Sequence, residues 1–425
     1  MTEKVIIAGL QLPNQDMDYA MQELAALVEA NNMEATENVI QKLDRPNSAT
    51  YFGSGKVVEL HELGESIDVH TLVVNAELSP SQIRNLEQES KLDVIDRTGL
   101  ILEIFANRAK SREAKLQVEI AKLNYQMPRL RTSSSQRLDQ QSAGDAGGGY
   151  TNRGSGETKL EMNRRTIQQR INNSNHELKE MTTSSAVQRQ KRDQTGLPSV
   201  ALVGYTNAGK STTMNGLVRL YGESDEKQVF EKNMLFATLD TSVRKLTFPD
   251  QKQLLLSDTV GFVSHLPHQL IKAFRSTLAE AAQADLLVQV VDVSDPHFRE
   301  MIQTTNEALQ EIGVTKAPMI VAFNKADMAG VEFPTFEGNE EITYSAQDKK
   351  SLVLLTNMIK QKVFTGYREA TFLIPFDKGQ VVDYLNQHTN VLKTDYKETG
   401  TEIVTELSSD DYQRFHDYLV EPVEN

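Results

Sequence analysis

Residues Gly204–Ser211 have the types and spacing of a phosphate-binding loop, with Gly204 and Gly209 framing it and Lys210 and Ser211 closing it. Glycines let the backbone curl so that successive N–H groups point at phosphate oxygens, and the helix that starts there adds its positive N-terminal end. Lys210 is expected to reach the β- and γ-phosphates, and Ser211 to place its hydroxyl on Mg²⁺. The predicted nucleotide contacts of this loop are Gly204, Tyr205, Thr206, Asn207, Ala208, Gly209, Lys210, Ser211 and Thr212.

A second element, Asp258–Gly261, follows the apolar run Gln253–Ser257, which predicts a buried strand. Asp258 is therefore expected at the end of a strand, facing the metal. The N–H of Gly261 can meet the γ-phosphate, which would make this element a sensor of the nucleotide state. The predicted contacts here are Asp258, Thr259, Val260 and Gly261.

A third element, Asn324–Asp327, predicts how the base is read. The Asp327 carboxylate can accept two N–H bonds from guanine that adenine cannot supply, so a site built around it rejects adenine. Asn324 and Lys325 are expected to brace the loop, and Ser345 and Ala346 fit the last guanine contact. A phosphate loop alone is a weak signal, but three elements in this order predict a Mg²⁺-dependent GTP hydrolase.

Several further stretches resemble the HflX family of ribosome-associated GTPases, and the likeness runs from about residue 45 to residue 350. They are Tyr51–Lys56, Asp96–Thr98, Ile104–Ala106, Lys115–Glu119, Arg153–Glu161, Phe236–Asp240 and Ala273–Leu278. The resemblance implies that Thr238 is the switch threonine that closes on Mg²⁺ and the γ-phosphate. It implies the catalytic residues Lys210, Thr238 and Gly261, the metal ligands Ser211, Thr238 and Asp258, and the nucleotide contacts Phe236, Ala237, Thr238, Leu239 and Asp240.

By the same resemblance, the partners are the large ribosomal subunit, its rRNA and the intact ribosome. The implied function is splitting or rescue of stalled ribosomes under stress, with hydrolysis stimulated by the ribosome. The alternative is an assembly or signalling GTPase whose helical hairpin binds a protein or precursor RNA. Two residues depart from the family pattern, since Thr241 and Ser155 stand where members usually carry proline. Both departures loosen a backbone that proline would fix.

Phe262 follows Gly261, at the position where many GTPases carry a glutamine that orients the attacking water. A phenyl ring cannot position water as an amide does. We therefore expect slow hydrolysis by the isolated protein and activation by a partner. His265 or His268 could fill the role, although a histidine near a loop is more often structural.

The chain has 425 residues, no cysteine and a net charge of −14. The absence of cysteine excludes disulfides and suits a reducing cytosol. No stretch approaches the roughly 20 apolar residues of a membrane helix, so we expect a cytoplasmic protein without a membrane span. We also expect it to be a monomer off the ribosome. Residues 106–193 carry 17 Lys and Arg against 9 Asp and Glu, whereas the remainder carries 28 against 50. This basic segment is the candidate RNA contact, with a solvated charged face as the alternative.

The periodicities predict an α/β protein with four parts. An N-terminal α/β domain (1–105) is followed by a basic antiparallel helical hairpin with a flexible tip (106–196). A phosphate-loop GTPase domain (197–366) and a small α+β C-terminal domain (367–425) complete the chain. The first helix of the hairpin is expected at Ile104–Tyr125, and the glycines of Gly53–Lys56 at a turn before a helix rather than at a second nucleotide site. Arg275 lies in a helix-like run, and we assign it no catalytic role.

Overall fold

The computed structural model describes residues 2–13, 17–142, 152–193, 197–222, 235–236, 242–264, 279–314, 317–338 and 340–420. In the two longest helices, side chains are described for residues 112–130 and 161–181. Contacts divide the chain into two units. Of the described residues, the first unit holds those up to 190 together with 235–236 and 260–264, and the second unit holds the rest.

A four-stranded parallel sheet with the order β2-β1-β3-β4 forms the base of the first unit. Its central strand β1 is apolar and buried along most of its length, as expected for a strand covered on both faces. The strands are β1 (Glu3–Gln11), β2 (Met33–Lys42), β3 (Thr71–Val74) and β4 (Asp93–Asp96), and the helices are α1 (Met17–Ala30), α2 (Ser54–Ile67), α3 (Pro80–Ser90) and α4 (Arg97–Arg108). The α/β class predicted for this region is confirmed.

Two details of this unit differ from the sequence prediction. Strand β2 was not predicted, because its polar sequence buries only Val39 and is held in place by its pairing with β1. The helix expected at Ile104–Tyr125 is in fact two helices. The chain leaves α4 at Ala109 in an extended conformation, and the Ser111 hydroxyl accepts a hydrogen bond from the N–H of Ala114 to begin the next helix.

Helices α5 (Arg112–Ser142) and α6 (Asn152–Asp193) follow in the first unit. Two ion pairs define their register: Arg112 contacts Glu177 through two hydrogen bonds of 2.7 and 2.8 Å, and Arg170 contacts Glu119 at 2.9 Å. Glu119 lies seven residues after Arg112 on α5, whereas its partner Arg170 lies seven residues before Glu177 on α6. The two helices are therefore antiparallel. Helix α5 continues to Ser142 through part of the predicted tip, and residues 143–151 lie outside the described residues.

A seven-stranded sheet with the order β10-β11-β9-β8-β5-β7-β6 organises the second unit. Strand β5 is flanked by β7 on one side and β8 on the other, so the strand order reverses there, and in such sheets ligands bind at the carboxyl ends of the strands. The strands are β5 (Ser199–Val203), β6 (Ser242–Thr247), β7 (Gln253–Asp258), β8 (Leu286–Asp292), β9 (Met319–Asn324), β10 (Thr335–Glu337) and β11 (Glu341–Thr343). The helices are α7 (Lys210–Tyr221), α8 (Ala279–Gln283), α9 (Phe298–Glu311), α10 (Ala326–Ala329) and α11 (Lys349–Val363).

The C-terminal subdomain, residues 367–420, is a three-stranded antiparallel sheet with the order β12-β14-β13. One face of the sheet is covered by apolar side chains such as Leu385 and Phe415, which pack against Phe372 and Ile403. Its elements are β12 (Arg368–Ile374), α12 (Gly379–His388), β13 (Asn390–Lys397), β14 (Gly400–Leu407) and α13 (Ser409–Arg414). No helix in the described parts of the chain is long and apolar enough to cross a bilayer.

Candidate guanine-nucleotide site

The phosphate loop leaves the buried end of β5 and turns into α7 through two glycines. Gly204 has φ of +143°, and a Cβ there would lie 2.2 Å from the carbonyl oxygen of Val290. Gly209 has φ of +95°, and a Cβ there would lie 2.1 Å from Nδ2 of Asn324. No larger residue fits either position without displacing its neighbours, so the loop conformation requires both glycines.

Lys210, Ser211 and Asp258 come together at the carboxyl ends of β5 and β7. The Lys210 ammonium donates to the carbonyl oxygens of Gly204 and Tyr205 at 3.0 and 2.7 Å, and the Ser211 hydroxyl donates to Asp258 Oδ2 at 2.7 Å. Burial lowers the pKa of Lys210 to about 8, against the opposing effect of Asp258. Burial also raises the pKa of the Asp258 carboxyl, which Lys210 and Ser211 oppose.

Asn324 joins the phosphate loop to the loop after β11. Its side chain is 2 % exposed, and its amide donates to the carbonyl oxygen of Ala208 at 2.8 Å while its oxygen accepts from the N–H of Ala346 at 2.9 Å. Because one buried side-chain amide is hydrogen-bonded to both, the phosphate loop and the predicted guanine loop are held at a fixed distance from each other. Ser345 is buried next to this contact.

Lys325 and Asp327 occupy the turn between β9 and the short helix α10. Lys325 has φ of +62° and precedes the helix, and its ammonium donates to Asp292 Oδ2 at 2.6 Å. Asp292 ends β8, and no motif in the sequence predicts its role. The Asp327 carboxylate is exposed in the first turn of α10, which leaves it accessible to a base.

The remaining predicted residues fall into three groups. In the second unit, Thr206 is buried, and its hydroxyl has no hydrogen-bond partner in the described parts of the chain. Thr259 donates to the carbonyl oxygen of Leu202 at 2.7 Å, and Asn207 is exposed with φ of +61°. Thr212, in the first turn of α7, is partly buried. The first unit holds Phe236, Val260 and Gly261, all three of which are buried. Ala237, Thr238, Leu239 and Asp240 lie outside the described residues, as do Thr241, His265, His268 and Arg275.

Within the first unit, the chain near Phe236 and the chain after Gly261 both contact α4. Phe105 packs edge-to-face on Phe236, with ring centroids 4.6 Å apart. Arg97 donates to the carbonyl oxygen of Ser264 at 2.9 Å and pairs with Glu23 at 2.5 Å, and Glu23 accepts the Ser264 hydroxyl. No local sequence pattern predicts this cluster, because Glu23 and Ser264 are 241 residues apart.

The glycine turn at Gly53–Lys56 lies in the first unit, away from the phosphate loop in sequence. The turn at Gly53–Lys56 ends in α2, with Gly53 at the N-cap and its N–H bonded to Gln41 Oε1 at 2.9 Å. Lys56 pairs with Glu59 at 2.6 Å. The glycines therefore begin a helix, as the turn interpretation expects.

Three sequence families match successive parts of the chain. Residues 18–106 match the GTP-binding GTPase N-terminal family, residues 108–192 match the GTP-binding GTPase middle region, and residues 199–325 match the 50S ribosome-binding GTPase family. Together these matches extend over most of the first 325 residues.

Full-length relatives show the same likeness. The chain is 37% identical to GTPase HflX of Caldanaerobacter subterraneus subsp. tengcongensis, covering 98% of this chain and 94% of the relative. It is 41% identical to GTPase HflX of Flavobacterium psychrophilum (90% and 88% covered) and 35% identical to that of Escherichia coli K12 (91% and 89% covered). Among solved structures, it is similar to a GTP-binding protein from Sulfolobus solfataricus in complex with GDP, with 25% identity, 85% and 98% coverage and a TM-score of 0.43.

Proposed function

Because the chain belongs to the HflX family of GTPases and hydrolyses GTP, we propose that it acts on the large ribosomal subunit in the cytoplasm and splits or rescues stalled ribosomes under stress. The observation that carries this proposal is the match of residues 199–325 to the 50S ribosome-binding GTPase family. These residues include the phosphate loop and the Asn324 bridge.

The residues of the second unit fit a Mg²⁺ ion beside the phosphates. Asp258 Oδ1 is buried and has no hydrogen-bond partner among the described residues, and the Ser211 hydroxyl donates to the other oxygen of the same carboxylate. Hard oxygen ligands of this kind suit Mg²⁺, which usually keeps few protein ligands and takes the rest from phosphate and water. When bound, the ion would neutralise charge on the β- and γ-phosphates. We propose Ser211, Asp258 and Thr238 as its ligands.

The proposed roles of the other site residues follow from their positions. Lys210 would exchange its two carbonyl partners for phosphate oxygens, a change that favours its charged form. The loop N–H groups would hold the phosphates, and Asp327 would accept the guanine N–H groups while Asn324 keeps the base loop and phosphate loop in register. Gly261 would report the γ-phosphate, and Lys210, Thr238 and Gly261 would stabilise the transferred group.

Hydrolysis is proposed to depend on the ribosome. Phe262 stands after Gly261, and its ring is 2 % exposed and carries no group that could orient water. The missing function is then water positioning, which a ribosomal surface can supply in trans. We expect single-turnover hydrolysis to rise at least ~10-fold when purified large subunits are added, by analogy with partner-activated GTPases.

The helical hairpin is the proposed rRNA contact. Lys115, Lys122 and Arg164 have no acidic partner among the side chains described for these helices, so they remain available to phosphate. A cleft of about 300 Å³ between the helices brings Lys115, Lys122 and Arg170 around an apolar floor that includes Val118 and Leu123. Cations that neutralise phosphates release counterions, so binding through them weakens steeply with salt.

The test is co-sedimentation of the purified protein with large subunits and with joined ribosomes, in GDP and in a non-hydrolysable GTP analogue. GTP-dependent binding to mature large subunits, or loss of joined ribosomes, is the expected result. Deleting Thr132–Asn152 should weaken ribosome binding across a salt series and leave nucleotide affinity unchanged. Binding to precursor particles or to a protein, without binding to mature subunits, would instead identify an assembly or signalling GTPase.

A further inference from the structure

The sheet of the C-terminal subdomain has one closed edge and one open edge. At the β12 edge, residues 419–420 pair with the strand: Leu419 forms a bridge with Phe372, and the N–H of Val420 donates to the carbonyl oxygen of Thr371 at 2.8 Å. At the opposite edge, β13 pairs with β14 and with no other strand described in the structure. Among the residues that the structure describes, no strand therefore pairs with the outer backbone groups of this eight-residue strand.

Large apolar side chains are exposed on the open edge and at one end of the sheet. Tyr396 is 81 % exposed and Leu392 is 52 % exposed, and both belong to β13. Phe376, 63 % exposed, follows β12 by two residues. Thr401 of β14 pairs with Ile374 of β12 on one side and with Tyr396 of β13 on the other. Phe376 and Tyr396 therefore lie at the same end of the sheet.

Proteins usually protect open edges with lysines, bulges or a covering segment. Both lysines of β13 form ion pairs: Lys393 pairs with Asp395 at 2.6 Å, and Lys397 pairs with Glu402 at 3.3 Å. The register break lies between Val391 and Lys393, near the start of the strand, and pairing is regular from Lys393 to Lys397. Residues Lys393–Lys397 therefore form a regular stretch of edge strand that no described strand covers, next to the exposed ring of Tyr396.

The charge of the subdomain indicates the chemistry of what would cover this edge. Residues 367–420 contain ten Asp and Glu against five Lys and Arg, and the β13–β14 hairpin at the open edge (390–407) contains four Asp and Glu against two Lys. An acidic surface attracts a basic partner and repels a second acidic copy, and the attraction is screened by salt. Added strands gain affinity from main-chain hydrogen bonds and specificity from alternate side chains.

We propose that the outer edge of β13 is a docking strand, on which an extended, basic segment of a protein partner adds as a fourth strand of the C-terminal sheet. Tyr396 and Leu392 are its apolar anchors. The surface belongs to the C-terminal subdomain, whereas the proposed rRNA contact lies in the helical hairpin. This inference does not depend on the proposed ribosomal function, because it follows from the edge, the exposed side chains and the charge alone.

The test uses the full-length protein and a fluorescent nine-residue peptide of alternating lysine and valine, with binding followed by fluorescence anisotropy. Three matched peptides separate the causes. Two carry N-methyl groups on alternate backbone nitrogens, each set blocking one edge of the peptide strand, and one replaces every lysine with glutamate. We expect the parent peptide to bind, one N-methylated peptide to bind at least about tenfold more weakly than the other, and the glutamate peptide not to bind.

Protein variants complete the design. Tyr396→Ala and Leu392→Ser should each weaken the parent peptide at least about fivefold, with an unchanged melting temperature because both side chains are largely exposed. Val58→Ala, which truncates a side chain 55 % exposed on α2 of the first unit, is the control and should bind like the wild type. Equal binding by the wild type and both edge variants, or an equal effect of both N-methylation patterns, would overturn the proposal. A self-association seen by sedimentation equilibrium and lost in Tyr396→Ala would also overturn it, because a second copy would then occupy the edge.

Discussion

Gly204→Ala is the most direct test of how the phosphate loop is built. The new methyl group would lie 2.2 Å from the carbonyl oxygen of Val290 and 3.2 Å from its carbonyl carbon. These are backbone atoms of the buried strand β8, which pairs on both sides with β5 and β9, so they cannot move aside as a flexible side chain could. The φ of +143° is also unfavourable for any residue with a Cβ.

The cost has two parts. A strained backbone conformation costs about 1–3 kcal/mol for a non-glycine residue. Overpacking a filled interior costs a further 1–3 kcal/mol, roughly, so a loss of about 3 kcal/mol is a conservative expectation. For a unit of about 200 residues, each kcal/mol shifts the melting temperature by about 2–4 °C, which predicts a fall of about 6–12 °C. Displacement of the loop should also weaken GDP binding at least about tenfold.

The assay is thermal unfolding of the second unit, identified as the transition that GDP shifts upward, together with titration of fluorescent GDP. Gly379→Ala is the matched control in the same unit. Gly379 has an ordinary helical φ of −52°, and a Cβ there would meet nothing within 4 Å, so this variant should melt at or slightly above the wild-type temperature. If Gly204→Ala melted and bound GDP like Gly379→Ala, the close approach of Val290 would not be what requires a glycine at position 204.

Three further predictions concern charged groups. Arg97→Met removes the cation that pairs with the buried Glu23 carboxylate and should destabilise the first unit by about 3–5 kcal/mol in denaturant unfolding. Arg165→Met, which breaks an exposed pair, should change stability by less than about 0.5 kcal/mol. Asp327→Asn should shift preference from guanine toward xanthine nucleotides in competition binding, and equal affinity of the wild type for ATP and GTP would contradict the assigned role. The nucleotide-free protein should gain stability as pH rises from about 8 to 10.5, because burial lowers the folded-state pKa of Lys210 to about 8 and the unfolded chain then binds more protons in that window. Melting curves of Lys210→Met should lack that part of the rise, and an identical pH profile would disprove the linkage.

Local patterns predicted the elements whose own residues carry the signal. In the C-terminal subdomain, the sequence patterns predict a strand at Ala370–Pro375, a helix at Lys378–Gln387 and strands around Val391–Tyr396 and Glu402–Leu407. These match β12, α12, β13 and β14 to within a few residues, since each has the alternation or the helical period of a half-buried element. Strand β2 has no such alternation, because it is a polar edge strand whose conformation is imposed by β1. The boundary between α4 and α5 was missed because one N-cap serine interrupts a continuous apolar period.

The nucleotide-binding chemistry of this protein was determined by short segments of sequence. Each of its main elements depends on a few neighbouring residues: a glycine that must adopt a positive φ, a lysine at the start of a helix and a carboxylate at the end of a strand. The types and order of these residues were therefore sufficient to predict a GTPase. Only the tertiary structure decided how these segments are held: Asn324 bridges two loops, Asp292 holds Lys325, and α4 contacts the chain at Phe236 and Ser264. These contacts join residues up to 167 positions apart, and their partners are selected by the packing of whole elements, which no local periodicity encodes.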